Sequence, residues 1–80
     1  MIDVKSAVHV AVDYVRGLDE FMPASQIRLE ETELSDDNYW YITLSFPGGF
    51  LNDGRDYKIF KIDADTGRVM SMKVRTLAAA

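Results

Sequence analysis

Residues 39–46, Tyr39-Trp40-Tyr41-Ile42-Thr43-Leu44-Ser45-Phe46, alternate without a break. Successive side chains of an extended chain point to opposite faces. Trp40, Ile42, Leu44 and Phe46 therefore share one face, and Tyr39, Tyr41, Thr43 and Ser45 share the other. Aromatic and β-branched residues suit such a pleated, half-buried surface. The spacing predicts a strand whose first face is built for a core.

Upstream, Ser35-Asp36-Asp37-Asn38 has turn composition. Before it, residues 26–34 read as a strand, with Ile27 and Leu29 on one face and Arg28 and Glu30 on the other. Its second half, Glu31-Thr32-Glu33, is polar on both faces, as suits an edge. Downstream, Pro47-Gly48-Gly49 breaks the alternation and opens a loop through Gly54. Residues 55–62 form a third alternating run, Phe60 and Ile62 against Tyr57 and Ile59. Asp63-Ala64-Asp65-Thr66-Gly67 is hairpin chemistry, with Gly67 suited to the left-handed position after a type I turn. Residues 68–75 close the series, Met70, Met72 and Val74 alternating with Ser71, Lys73 and Arg75.

The N-terminal segment has a different period. Val4, Ala7, Val8, Ala11, Val12, Val15 and Leu18 follow the i, i+3, i+4, i+7 rule of one helical stripe. Asp3 is a suitable N-cap, and Pro23 sets a stop by about Met22, so the helix is expected over residues 4–22. One apolar stripe and one apolar sheet face must bury each other. The expected fold is therefore a single α+β domain over 1–80, a helix packed on a four-stranded antiparallel meander in the order αββββ.

Composition narrows the functional classes. The 80 residues hold no cysteine, which excludes disulfides and thiolate metal sites, and one histidine, His9, which excludes a multi-histidine zinc centre within one chain. The net charge is -4. Nucleic-acid binders carry a basic footprint that is missing here, so no nucleic-acid partner is expected. Charge is uneven along the chain: residues 1–40 hold three basic and nine acidic residues, residues 41–80 six and four. The halves can complement each other within the fold or head to tail between copies. No apolar run approaches the ~20 residues of a membrane span. Charges at Asp3, Lys5 and Asp13 interrupt any signal-peptide core, so a cytoplasmic protein without membrane association is expected.

The order of elements, the aromatic strand Tyr39-Trp40-Tyr41-Ile42-Thr43-Leu44, and above all Ile62-Asp63-Ala64-Asp65-Thr66-Gly67-Arg68-Val69 resemble a PepSY-type domain over residues 4–75. The resemblance implies an α+β fold and a binding or inhibitory role, often proposed toward peptidases outside the cytoplasm. It implies no catalytic residue.

Three constellations have residue types that could carry chemistry. Ser6, His9 and Asp13 lie along one helical flank, where no oxyanion hole can be built beside them. His9 and Asp13 supply two ligands where a metal site wants three or four. Asp63-x-Asp65-x-Gly67 starts like a calcium loop, but its twelfth position is Val74 rather than glutamate. No enzyme, metal or cofactor is expected. The expected site is instead an interaction surface. Tyr39, Tyr41, Tyr57 and Ile59 point away from the core, with Lys61, Lys73 and Arg75 nearby and Phe50 and Leu51 on the central loop. Tyrosine and arginine are favoured at interfaces. The expected occupant is a protein partner or a second copy, held on this face or at an edge strand. A small-ligand pocket between helix and sheet or at a dimer cleft is the alternative.

Overall fold

A computed structural model describes residues 1–18, 23–47 and 55–74. It contains α1 (Val4–Leu18), a 3-10 turn (Ala24–Gln26), and strands β1 (Arg28–Leu34), β2 (Tyr39–Pro47), β3 (Arg55–Asp63) and β4 (Val69–Val74). The four strands form one antiparallel sheet in the order β1-β2-β3-β4. The two-layer α+β fold read from the periodicities is the fold observed. The expected continuation of the helix through 19–22 falls outside the described residues.

α1 begins where the sequence places its cap. The Asp3 carboxylate accepts the Ser6 N–H at 2.8 Å, and the Asp3 carbonyl accepts the Ala7 N–H at 3.0 Å. The first contact satisfies an amide donor of the first turn that has no partner within the helix, and the second is the first bond of the helix itself. Ala7, Ala11 and Val15 are the buried line of α1. Two alanines on that line let the helix backbone approach the sheet closely. α1 packs chiefly over β2, and also against β3 and β4. The core beneath it is Ile42, Leu44 and Phe46 of β2 with Phe60 and Ile62 of β3. Tyr14 meets Phe60 edge-on, with ring centroids 6.2 Å apart. Trp40, Ile27, Val69 and Met72 pack around this cluster.

Two β-bulges revise the sequence reading. In β1, Leu29 stands opposite Leu44 but Glu31 opposite Thr43, so Glu30 is an extra residue. Leu29, Thr32 and Leu34 therefore face the helix side, and Arg28 and Glu31 share the far side with Glu33. In β4, Ser71 stands opposite Lys61 but Val69 opposite Ile62, which makes Met70 the extra residue. Val69, rather than Met70, takes the core-facing position, and Met70 is 47% exposed. A strict period of two carries no mark of where one residue is inserted. Gln26, read as the start of a strand, belongs instead to the 3-10 turn. Its N–H bonds to the Pro23 carbonyl at 3.0 Å, because proline fixes the entry angle of a tight turn.

The two hairpin turns among the described residues follow their side chains. Gly67 has φ +77°, its N–H reaches the Asp63 carbonyl at 2.8 Å, and the Asp63 N–H reaches Arg68 at 2.9 Å. Asn38 takes the left-handed position of the other turn, with φ 68°.

Candidate functional site

The candidate surface is the sheet face opposite α1. The register sets it out in rows. Glu33, Tyr41, Lys61 and Ser71 form one row, and Glu31, Thr43, Ile59 and Lys73 the next. A third row holds Arg28, Ser45 and Tyr57, while Tyr39 pairs with Asp63 at the turn end. The sequence-derived residues Tyr39, Tyr41, Tyr57, Ile59, Lys61 and Lys73 are thus brought together on one face. The first five are half-buried and Lys73 is exposed. Arg75, Phe50 and Leu51 lie outside the described residues.

Partial burial here comes from neighbours within the face. The Lys61 ammonium sits over the Tyr39 ring, 4.3 Å from its centroid. This fixes an aromatic plane and a cation together, worth roughly 0.5–1 kcal/mol at an exposed site. Thr43 and Ser45 show 1% and 0% exposure, although alternation puts them on the outer face. They are small side chains on a central strand, flanked in register by Glu31, Ile59, Arg28 and Tyr57. Ser45 Oγ donates to Glu30 Oε2 at 2.5 Å. Glu30, the extra residue of the β1 bulge, thus reaches a serine of the neighbouring strand on the outer face. Among the described residues, no buried side-chain polar atom lacks a hydrogen-bond partner.

At the turn end, sequence reading missed a clasp. The Ile2 N–H donates to the Ala64 carbonyl at 2.7 Å, and the Trp40 indole N–H donates to the Ile2 carbonyl at 3.0 Å. The Ala64 N–H donates to the Asn38 carbonyl at 3.1 Å, and Asn38 Nδ2 to Asp65 Oδ2 at 2.8 Å. Three remote segments are joined in this way: the N-terminus, the 35–38 turn and the 63–67 turn. The only sequence signal was a tryptophan at the start of a strand, since a buried indole seeks an acceptor.

The Asp63 carboxylate is held below its ordinary value by the Thr66 N–H and then the Asp65 N–H, at 3.0 and 2.8 Å. Asp3 is lowered in the same direction, first by the Ser6 N–H. Both shifts arise from turn and cap geometry, which is a structural use of a carboxylate. Of the Ser6, His9 and Asp13 set, all three are exposed on α1. Among the described residues, no group of three or more histidine, cysteine, aspartate or glutamate side chains is placed to hold a metal ion. None of the described helices is long and apolar enough to cross a membrane.

The fold and this face together define a two-layer α+β domain with one helix-covered and one tyrosine-bearing sheet surface. Comparison with protein-family models, curated proteins and solved structures finds no match for the chain.

Proposed function

We propose that this chain is a PepSY-like, non-enzymatic interaction module that holds a protein partner on the sheet face opposite α1. One observation carries this reading: α1 covers the other face, while Tyr39, Tyr41, Tyr57, Ile59 and Lys61 stand half-buried in register on this one. Half-buried tyrosines already ordered by their neighbours lose little side-chain freedom on binding, which favours contact. The Lys61–Tyr39 pair offers a partner carboxylate a cation beside an apolar plane. The binding or inhibitory role implied by the PepSY resemblance fits a surface that engages a partner without chemistry of its own.

The test compares native-host proteins retained by the wild type with those retained by the Tyr41→Ala, Ile59→Asp double variant. Circular dichroism establishes that the variant is folded. A protein bound by the wild type and lost from the folded variant supports the sheet face. Partners retained equally by both overturn it.

A further inference from the structure

The two outer strands of the sheet are complementary to each other. β1 carries Arg28, Glu30, Glu31 and Glu33, a net negative edge. β4 carries Lys73, with Arg68 immediately before it, and no acid. Their helix-side faces match as well. α1 is centred on β2, so Leu29 and Leu34 of β1 remain 52% and 43% exposed, and Val74 of β4 is 71% exposed. Each edge therefore offers apolar groups on one face and charge of opposite sign on the other.

Strand directions permit the join. With every neighbour antiparallel in the order β1-β2-β3-β4, β1 and β4 run in opposite directions. A second copy in the same orientation can set its β1 beside the first copy's β4 as an ordinary antiparallel pair. Both helices then lie on the same side of one continued sheet. Bulges normally protect edges from such pairing. Here they lie at Glu30 and Met70, leaving residues 32–34 and 72–74 regular. Residues directly opposite share a face, so register follows from the pattern. Lys73 meets Glu33, Met72 meets Leu34, and Val74 meets Thr32.

We infer that this chain self-associates head to tail, with the basic β4 edge of one copy paired to the acidic β1 edge of the next. Two-fold alternatives fit less well. Within the regular stretches, pairing β1 with β1 sets Glu33 opposite Glu33, and pairing β4 with β4 sets Lys73 opposite Lys73. Like charges across a strand pair oppose association. A head-to-tail contact uses different patches on the two copies, so it propagates until it closes into a ring or continues as a filament. The regular stretch on each strand is short, so the association is weak and concentration-dependent. It uses strand edges rather than the tyrosine face, so the two readings stand or fall separately.

The experiment uses the full chain, whose lack of native cysteine gives a clean background. Lys73→Cys and Glu33→Cys proteins are oxidised mildly, alone and mixed, and mass is followed against concentration by sedimentation. Disulfide dimers that form in the mixture and not in either protein alone support the inference. So does a wild-type mass that rises past the dimer. Lys73→Glu and Glu33→Lys should each weaken association on the order of fivefold, and the combined charge swap should restore it. Both positions are exposed, so the fold survives, and circular dichroism checks this. Equal or stronger cross-linking of the Lys73→Cys protein alone overturns the inference in favour of a β4–β4 pair. A mass that stays monomeric at every concentration overturns it outright, and this readout needs no variant. Self-association retained by the Tyr41→Ala, Ile59→Asp protein separates the edge contact from the sheet-face reading.

Discussion

Replacing Trp40 with phenylalanine should loosen the clasp and leave the sheet intact. The indole N–H is the donor to the Ile2 carbonyl at 3.0 Å, and phenylalanine has none. Losing one such bond costs about 1 kcal/mol net, more when the acceptor left behind is part-buried. The smaller ring also gives up contact with the core cluster that Trp40 packs against. For a side chain only half-buried, that loss is about 1 kcal/mol. The expected destabilisation is therefore about 2 kcal/mol, against a total of about 4–12 kcal/mol for a domain of this size. At this length each kilocalorie moves the midpoint by about 4–8 °C, so the melting temperature should fall by roughly 8–16 °C. Thermal unfolding followed by far-ultraviolet circular dichroism measures it, since the chain has no second tryptophan for fluorescence. Amide exchange should quicken at Ile2, whose N–H is tied to Ala64, and at Ala64, tied to Asn38. A change below about 0.5 kcal/mol with unaltered exchange at both amides would refute the clasp as a source of stability, since it would fall short even of one ordinary hydrogen bond.

Two further outcomes follow from the turns and the cap. Gly67→Ala forces a side chain into φ +77°, where the nearest atom is Ile2 Cδ1 at 3.9 Å. The penalty is backbone strain without a clash, about 1–2 kcal/mol, and denaturant unfolding that shows no loss would rule the strain out. Asp63 and Asp3 have folded pKa values below the ordinary 3.8, so the unfolded chain takes up their protons first. Their stabilisation is fully present above that value and is lost as pH falls through the lower folded values. Urea midpoints should drop below about pH 4, and the Asp63→Ala variant should show a shallower drop. An equal slope in the variant would remove Asp63 from the acid response.

Much of the fold was legible because burial writes itself into periodicity. The stripe Ala7, Ala11, Val15 and the alternation Ile42, Leu44, Phe46 each match one face to one core. Asp3 and Gly67 were readable because their roles are local: a cap and a turn concern only nearby residues. The outer face was legible as a set of residues, since Tyr39, Tyr41, Tyr57, Ile59 and Lys61 do share it, but its relief was not. Thr43 and Ser45 are small and polar, which reads as exposed, yet taller neighbours in register bury them. The bulges at Glu30 and Met70 were hidden because an inserted residue has no composition of its own. The clasp was hidden for a different reason. Two of its four bonds join backbone groups at Ile2, Ala64 and Asn38, and backbone groups are the same in every sequence.

The clasp also sets an order of events. The β1–β2 and β3–β4 hairpins each close over a few residues, whereas Ile2 must find Ala64 across most of the chain. Such distant closures bear the largest loop entropy, so this one is expected to come late. The single tryptophan stands at that closure. Its emission therefore reports when the chain's beginning docks, while circular dichroism reports when the sheet forms. In refolding, tryptophan emission is therefore expected to trail circular dichroism, and coincident signals would refute that order.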